Sequence, residues 1–195
     1  MKQQERIEQL RAAVIDGRTG NVRYRQNELF KLHEILKESA HDILSAISAD
    51  THENSVNVNL ESEAEYYLTM NAVQRLYDSL DFEQALKDEY LVAHGTDNRG
   101  WRTGKGLVLI RPTTHTRFYS IIVAVATSIA AGNCTCLEVS SKYHNKENLP
   151  LTGVISLACR YIVKCRPRLE TLAPEGFGLR YILCLEYKST KSFGA

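Results

Sequence analysis

The stretch Gly106-Leu107-Val108-Leu109-Ile110-Arg111-Pro112, then Phe118–Ala131, then Gly132-Asn133-Cys134-Thr135-Cys136-Leu137-Glu138-Val139, decides the fold. Leu107 to Ile110 is a short, wholly apolar run, as a strand covered on both faces would be. Phe118 to Ala131 has the length and apolar content of a buried helix, and Gly132-Asn133 is a stop signal. Cys134 to Val139 reads as a second apolar strand. Two such strands joined by a helix predict a parallel pair with a crossover. The alternation continues outward. Leu149 to Lys164 reads as a helix, Cys165 to Gly178 as a loop holding Pro167 and Pro174, and Leu179 to Tyr187 as a third strand. Right-handed crossovers predict that all three strands run parallel, as half of a doubly wound sheet.

Upstream of Gly106 the period is helical. Residues 3–16 carry Ile7, Leu10 and Val14, and Gly17 is a stop before a turn cluster that ends at Gly20. A second helix is predicted from Val22 to Ser39, with Leu29, Leu32, Ile35 and Leu36 on one face. A third, His41 to Ala49, places Ile43, Leu44 and Ile47 inward. Thr51 to Asn59 is a polar loop. A longer helix, Leu60 to Ser79, shows the stripe Ala64, Tyr67, Leu68, Val73, Leu76, Leu80. Ala93 to Lys105 is aperiodic and reads as a long loop or hairpin. The fold class expected is α/β: an N-terminal helical section, 1–92, followed by a partial Rossmann-like parallel sheet, 93–195, in one compact domain.

With 195 residues, 44% hydrophobic and 24% charged, and only 4 prolines, the chain has the composition of a globular domain. No run reaches the ~18 apolar residues that a membrane span needs. The start, MKQQERIEQL, is polar, without an apolar signal region. Together these predict no membrane span and a cytoplasmic protein. Residues 1–98 hold 18 acidic and 10 basic residues, a net of −8; residues 99–138 carry +4 and residues 139–195 carry +5. Opposite halves attract, within a chain or between copies, so a homo-oligomer, a dimer, is expected. The basic residues are scattered, with no recognition-helix pattern, so nucleic acid is not an expected partner. The five cysteines, Cys134, Cys136, Cys159, Cys165 and Cys184, show no finger spacing, and read as small buried hydrophobes in a reducing compartment. His33, His41, His52, His94 and His144 share no metal spacing. No metal is expected.

Gly106-Leu-Val-Leu-Ile-Arg-Pro, the helix after it, and Ser128-Ile-Ala-Ala-Gly-Asn-Cys-Thr-Cys-Leu-Glu-Val-Ser140 resemble the start of the cofactor domain of an aldehyde dehydrogenase. Arg6-Ile-Glu-Gln-Leu-Arg-Ala is similar to that family's first helix, and Arg25 through Asp50 to its next two. The flavour is the class-3, fatty-aldehyde branch, over about 1–140. Members of the family are more than twice this length, and their nucleophilic cysteine, general-base glutamate and oligomerisation strand lie beyond residue 195. A truncated relative is therefore the expectation. In the family, Trp-Asn-Tyr-Pro falls on Thr114, His115, Thr116 and Arg117, so His115 stands where the oxyanion-steadying asparagine would be. Lys-Pro-Ser-Glu falls on Glu138, Val139, Ser140 and Ser141, so Glu138 replaces the lysine that holds the adenine ribose. The Gly-rich phosphate turn is reduced to Lys188-Ser189-Thr190-Lys191-Ser192-Phe193-Gly194. The resemblance thus implies a chain that does not oxidise aldehydes with a nicotinamide cofactor; no cofactor is expected.

Two functions fit this reading. The first is a cofactor-independent, redox-neutral cyclase or isomerase, a Diels–Alder step included, acting on an apolar, carbonyl-bearing small molecule of a biosynthetic route. Thr113, Thr114, His115 and Arg117 follow a strand and open a helix, where open α/β sheets place ligands. Thr113 or Thr114 is the expected helix N-cap. Tyr66, Tyr67, Met70, Phe118, Tyr119 and Trp101 are the expected substrate-binding wall. A neutral imidazole donates from one ring nitrogen, which suits a step that moves little net charge. The second is a non-catalytic module that pairs with itself, or with a full-length dehydrogenase, through an open sheet edge.

Overall fold

The computed structural model describes residues 8, 11, 12, 14–50, 57–95, 102–113, 115–140 and 180–184. Its elements are the helices α1 (Val22–Glu38), α2 (Ala40–Asp50), α3 (Val58–Asp78) and α4 (Phe82–Ala93), the strand β1 (Leu107–Ile110), the helix α5 (Arg117–Ala130), and the strands β2 (Cys134–Ser140) and β3 (Arg180–Cys184). A 3-10 turn, Arg18–Gly20, precedes α1. The expected helix 149–164, the loop 165–178 and the segment 188–194 lie outside the described residues.

The helices pack as the apolar spacing dictates. Asn21 caps α1, its Oδ1 accepting the Tyr24 N–H at 3.2 Å. Leu29, Leu32 and Leu36, spaced three and four apart, are fully buried, each such side chain contributing roughly 2 kcal/mol of transfer free energy. Ile43 and Ile47 of α2 join them. From α5 come Phe118, Ile121, Ile122, Val125, Ala126 and Ile129, so one cluster holds the N-terminal helices and the β1–α5–β2 unit together. Helix α5 ends as Gly132-Asn133 predicts. Gly132 takes φ +77°, its N–H reaches the Ile129 carbonyl at 2.9 Å, and the Asn133 N–H reaches the Ser128 carbonyl at 3.0 Å. This pair of bonds satisfies two of the last carbonyls of the helix.

β1 and β2 are parallel, with Leu107 beside Cys134 and Ile110 beside Leu137. The fold is therefore mostly helical with a small parallel pair, compatible with the α/β class. β3 corrects the expectation of three parallel strands: it lies antiparallel to β2, Cys136 opposite Cys184, in the order β1-β2-β3. An antiparallel neighbour needs no helical crossover, so the crossover rule does not constrain it.

Three further expectations change. The stripe read on the fourth helix holds in its second half, where Val73 is buried and Leu76 and Leu80 pack on the core, but not in its first: Ala64, Tyr67 and Leu68 are exposed, and Ser62, Tyr66 and Thr69 are buried there instead. Helix α4 occupies a segment where the sequence reading places no element. β1 is covered on one face only, since Leu107 and Leu109 are 38% and 57% exposed whereas Ile110 is buried. Cys134 and Cys136 are buried, as expected, and burial pushes the Cys134 thiol pKa up. Among the described residues no helix is long and apolar enough to cross a membrane.

Candidate functional site

The corner between β1 and α5 is built from Thr113, His115, Thr116 and the first turn of α5. Thr114 and Trp101 lie outside the described residues. Thr113 does not cap the helix. Its Oγ1 donates to the His115 carbonyl at 2.7 Å, which ties the loop to itself. The N-cap is Thr116, in the left-handed region at φ 45°, with no side-chain capping bond. That conformation is costly for a β-branched residue. The cap comes instead from another helix: Glu65 of α3 places Oε1 at 3.0 Å from the Tyr119 N–H. A carboxylate there satisfies an orphan donor and meets the positive end of the helix dipole. The sequence reading missed Glu65, since nothing local marks a residue that acts 54 positions away.

The expected substrate wall divides. Phe118, assigned to that wall from the sequence, is a core residue, 1% exposed. Its ring stacks on Tyr66, centroids 6.4 Å apart at 16°. Tyr66 is also buried. Its hydroxyl donates to the Leu36 carbonyl at 3.2 Å, joining α3 to the end of α1. Burial, and then the neighbouring Tyr67, raise its pKa. Tyr66 and Phe118 therefore pack α3 against α5. Met70 is half-buried against the same core. Tyr67 and Tyr119 are exposed, Tyr67 standing edge-on to Tyr66 at 5.5 Å. His115 is exposed and Arg117 half-buried. The corner thus presents His115 and the Glu65-capped helix start, with the exposed Tyr67 and Tyr119 on the same two helices. Among the described residues no group of three or more His, Cys, Asp or Glu side chains could hold a metal.

A cavity of about 350 Å³ lies at the other end of β1 and α5, lined among others by Gly20, Arg25, Asp81, Phe82, Arg102 and Gly132. Several of its polar groups are engaged in structure, while the buried Arg25 Nε has no hydrogen-bond partner among the described residues. Arg25 donates from Nη1 to the Ala130 carbonyl at 2.8 Å and from Nη2 to the Gly20 carbonyl at 3.1 Å, and desolvation lowers its pKa. Asp81 Oδ1 accepts the Glu83 and Gln84 N–H groups at 2.9 and 3.1 Å, starting α4. Arg23 lies over the Phe82 ring at 4.3 Å and holds α4 on α1.

No family model matches the chain. It is 26% identical over 154 residues to the aldehyde dehydrogenase, dimeric NADP-preferring, of the dog, Canis lupus familiaris. The match covers 76% of this chain and 32% of that enzyme. The chain is therefore aldehyde dehydrogenase-like, and it spans about a third of the length of the relative it matches.

Proposed function

We propose that this chain derives from the class-3, fatty-aldehyde branch of the aldehyde dehydrogenases and does not work as a dehydrogenase. In this reading β1, α5 and β2 are the opening βαβ unit of a Rossmann-like sheet. The similarity to the dimeric NADP-preferring enzyme supports the origin. Glu138, at the ribose-holding position of that resemblance, argues against nicotinamide binding. The activity we assign is a cofactor-independent, redox-neutral step, a cyclisation or isomerisation, on an apolar molecule with a conjugated carbonyl.

The observation that carries this reading is the exposed His115, on a corner fixed by the Thr113 hydrogen bond and by Glu65. A carbonyl oxygen accepting from His115 is polarised without net proton transfer. One such donor contributes about 3 kcal/mol to a barrier where the bound molecule itself shuts water out of the corner. Tyr67 and Tyr119 supply apolar contact for the rest of the molecule; Tyr66 and Phe118, committed to the core, do not. The test is incubation of the purified chain with apolar polyene aldehydes and ketones, followed by chromatography for isomers of unchanged mass. His115→Ala is expected to slow conversion roughly 10–1000-fold while the circular dichroism spectrum stays unchanged. Equal conversion by wild type and His115→Ala would place the chemistry elsewhere.

A non-catalytic pairing module is the second reading. The half-covered β1 favours it, because among the described residues it is an apolar strand at a sheet edge, where a further strand could pair.

A further inference from the structure

We propose that the corner between β1 and α5 has two states, and that Glu65 is the latch that holds one of them. The inference concerns the geometry of the corner, and stands whether or not His115 turns over a substrate. Two residues compete for one donor. Thr116 is the N-cap of α5, and its carbonyl accepts the Ser120 N–H at 3.0 Å. Tyr119 is then the third residue of the helix. Its N–H is the kind of donor that an N-cap threonine takes with its own Oγ1. Here Glu65 Oε1 holds that N–H at 3.0 Å, and the exposed Thr116 makes no capping bond. Thr116 sits instead at φ 45° and ψ 55°, in the left-handed region, where a β-branched residue is strained.

An N-cap threonine with extended backbone angles has neither problem. Turning Thr116 to them removes the strain and brings Oγ1 to the Tyr119 N–H once Glu65 lets go. The strain of the first state and the carboxylate cap lost in the second are of similar size. The two states therefore lie close in free energy. A strained residue persists only where its surroundings hold it. Two bonds hold this one: Glu65 to the Tyr119 N–H on the helix side, and Thr113 Oγ1 to the His115 carbonyl on the strand side. The two ends of the corner are fixed, since Ile110 of β1 and Phe118 of α5 are buried in the same cluster. A turn at Thr116 falls on the residue before it, so the two states present His115 at two places relative to α5. Because Glu65 belongs to α3, the choice between them is set from a different helix.

A double-mutant cycle on the full chain, read by urea denaturation, tests this. Thr116→Val keeps the branched shape and removes the hydroxyl. In the wild type it should leave the denaturation midpoint unchanged, because that hydroxyl caps nothing while Glu65 is in place. In a Glu65→Ala chain the hydroxyl is the cap, so there Thr116→Val should lower the midpoint. Thr116→Gly, which enters the left-handed region without strain, should raise the midpoint with Glu65 present and lose that gain in Glu65→Ala. The backbone is read by nuclear magnetic resonance. The Overhauser effect between the Thr116 amide and α protons, strong at positive φ, should weaken in Glu65→Ala. Thr116→Val shifting the midpoint equally with and without Glu65, or shifting it in neither, overturns the proposal. So does an Overhauser effect that stays strong in Glu65→Ala.

Discussion

Glu65 and Glu28 are two carboxylates on helices with opposite effects. Glu65 caps α5 from outside it, because Thr116 has no capping bond of its own. Glu65→Ala should lower stability by about 1 kcal/mol, as loss of a helix cap does, and Glu65→Gln, which keeps an acceptor oxygen, by less. Chemical denaturation of both variants measures the difference. Glu28 is buried on α1; Lys31 Nζ meets Oε1 at 2.8 Å and Oε2 has no partner. Desolvation raises the Glu28 pKa, and Lys31 only partly opposes it. A carboxyl with a raised folded-state pKa holds its proton longer when folded than when unfolded. Its contribution to stability is therefore full below the unfolded value near 4.5 and declines as pH rises from there through the folded value. Thermal melts between pH 4 and 7 should show wild type losing stability relative to Glu28→Gln as pH rises. Parallel curves for the two proteins would contradict this sign.

At the scale of elements, the join between Gly104 and Gly132 sets the approach of β1 to the end of α5. A Cβ at Gly104 would meet the Gly132 carbonyl oxygen well inside contact distance, with the carbonyl carbon at 2.7 Å. At Gly132, which has φ +77°, a Cβ would meet the Thr19 carbonyl oxygen at 2.9 Å. Either glycine to alanine should destabilise by about 2 kcal/mol or more, visible as a lowered melting temperature. The elements themselves were unevenly legible. The α1, α2 and α5 faces could be read because their buried residues, Glu28 and Ser128 apart, are aliphatic or aromatic. The face of α3 could be read from Val73 onward but not before it, because Ser62 and Thr69 share the first half with Tyr66. Their hydroxyls reach the Asn59 and Glu65 carbonyls at 2.9 and 2.7 Å, which makes them compatible with burial. Helix α4 carried a readable start, Asp81-Phe82-Glu83-Gln84, the residue pattern of a capping box. Its apolar residues Leu86, Tyr90 and Leu91 are exposed and gave no clean face. At the candidate site, the position of His115 was legible and the capping role of Glu65 was not. Phe118 was legible as apolar, but its direction into the core depends on the rotation of α5.

For the whole molecule, the reading as a non-dehydrogenase makes a direct expectation. Isothermal calorimetry with NAD and with NADP should show no heat of binding at micromolar concentrations, and a micromolar affinity for either would restore the dehydrogenase reading. The tether from Arg25 to the Ala130 carbonyl spans 105 positions of sequence. Arg25 leaves the ribosome long before its acceptor exists: at 5–20 residues per second, roughly 5–20 s earlier. Through that interval Leu29, Leu32 and Leu36 lack the α5 side chains that complete their cluster. The early helices are thus clients of a segment still to be translated. Nascent chains stalled before residue 117 should be cut readily by protease within the first helices, and the full chain released from the ribosome should resist. Vectorial synthesis exposes a greasy intermediate whose shelter is the cell's holdase supply, and expression yield should track that supply more closely than the stability of the finished fold.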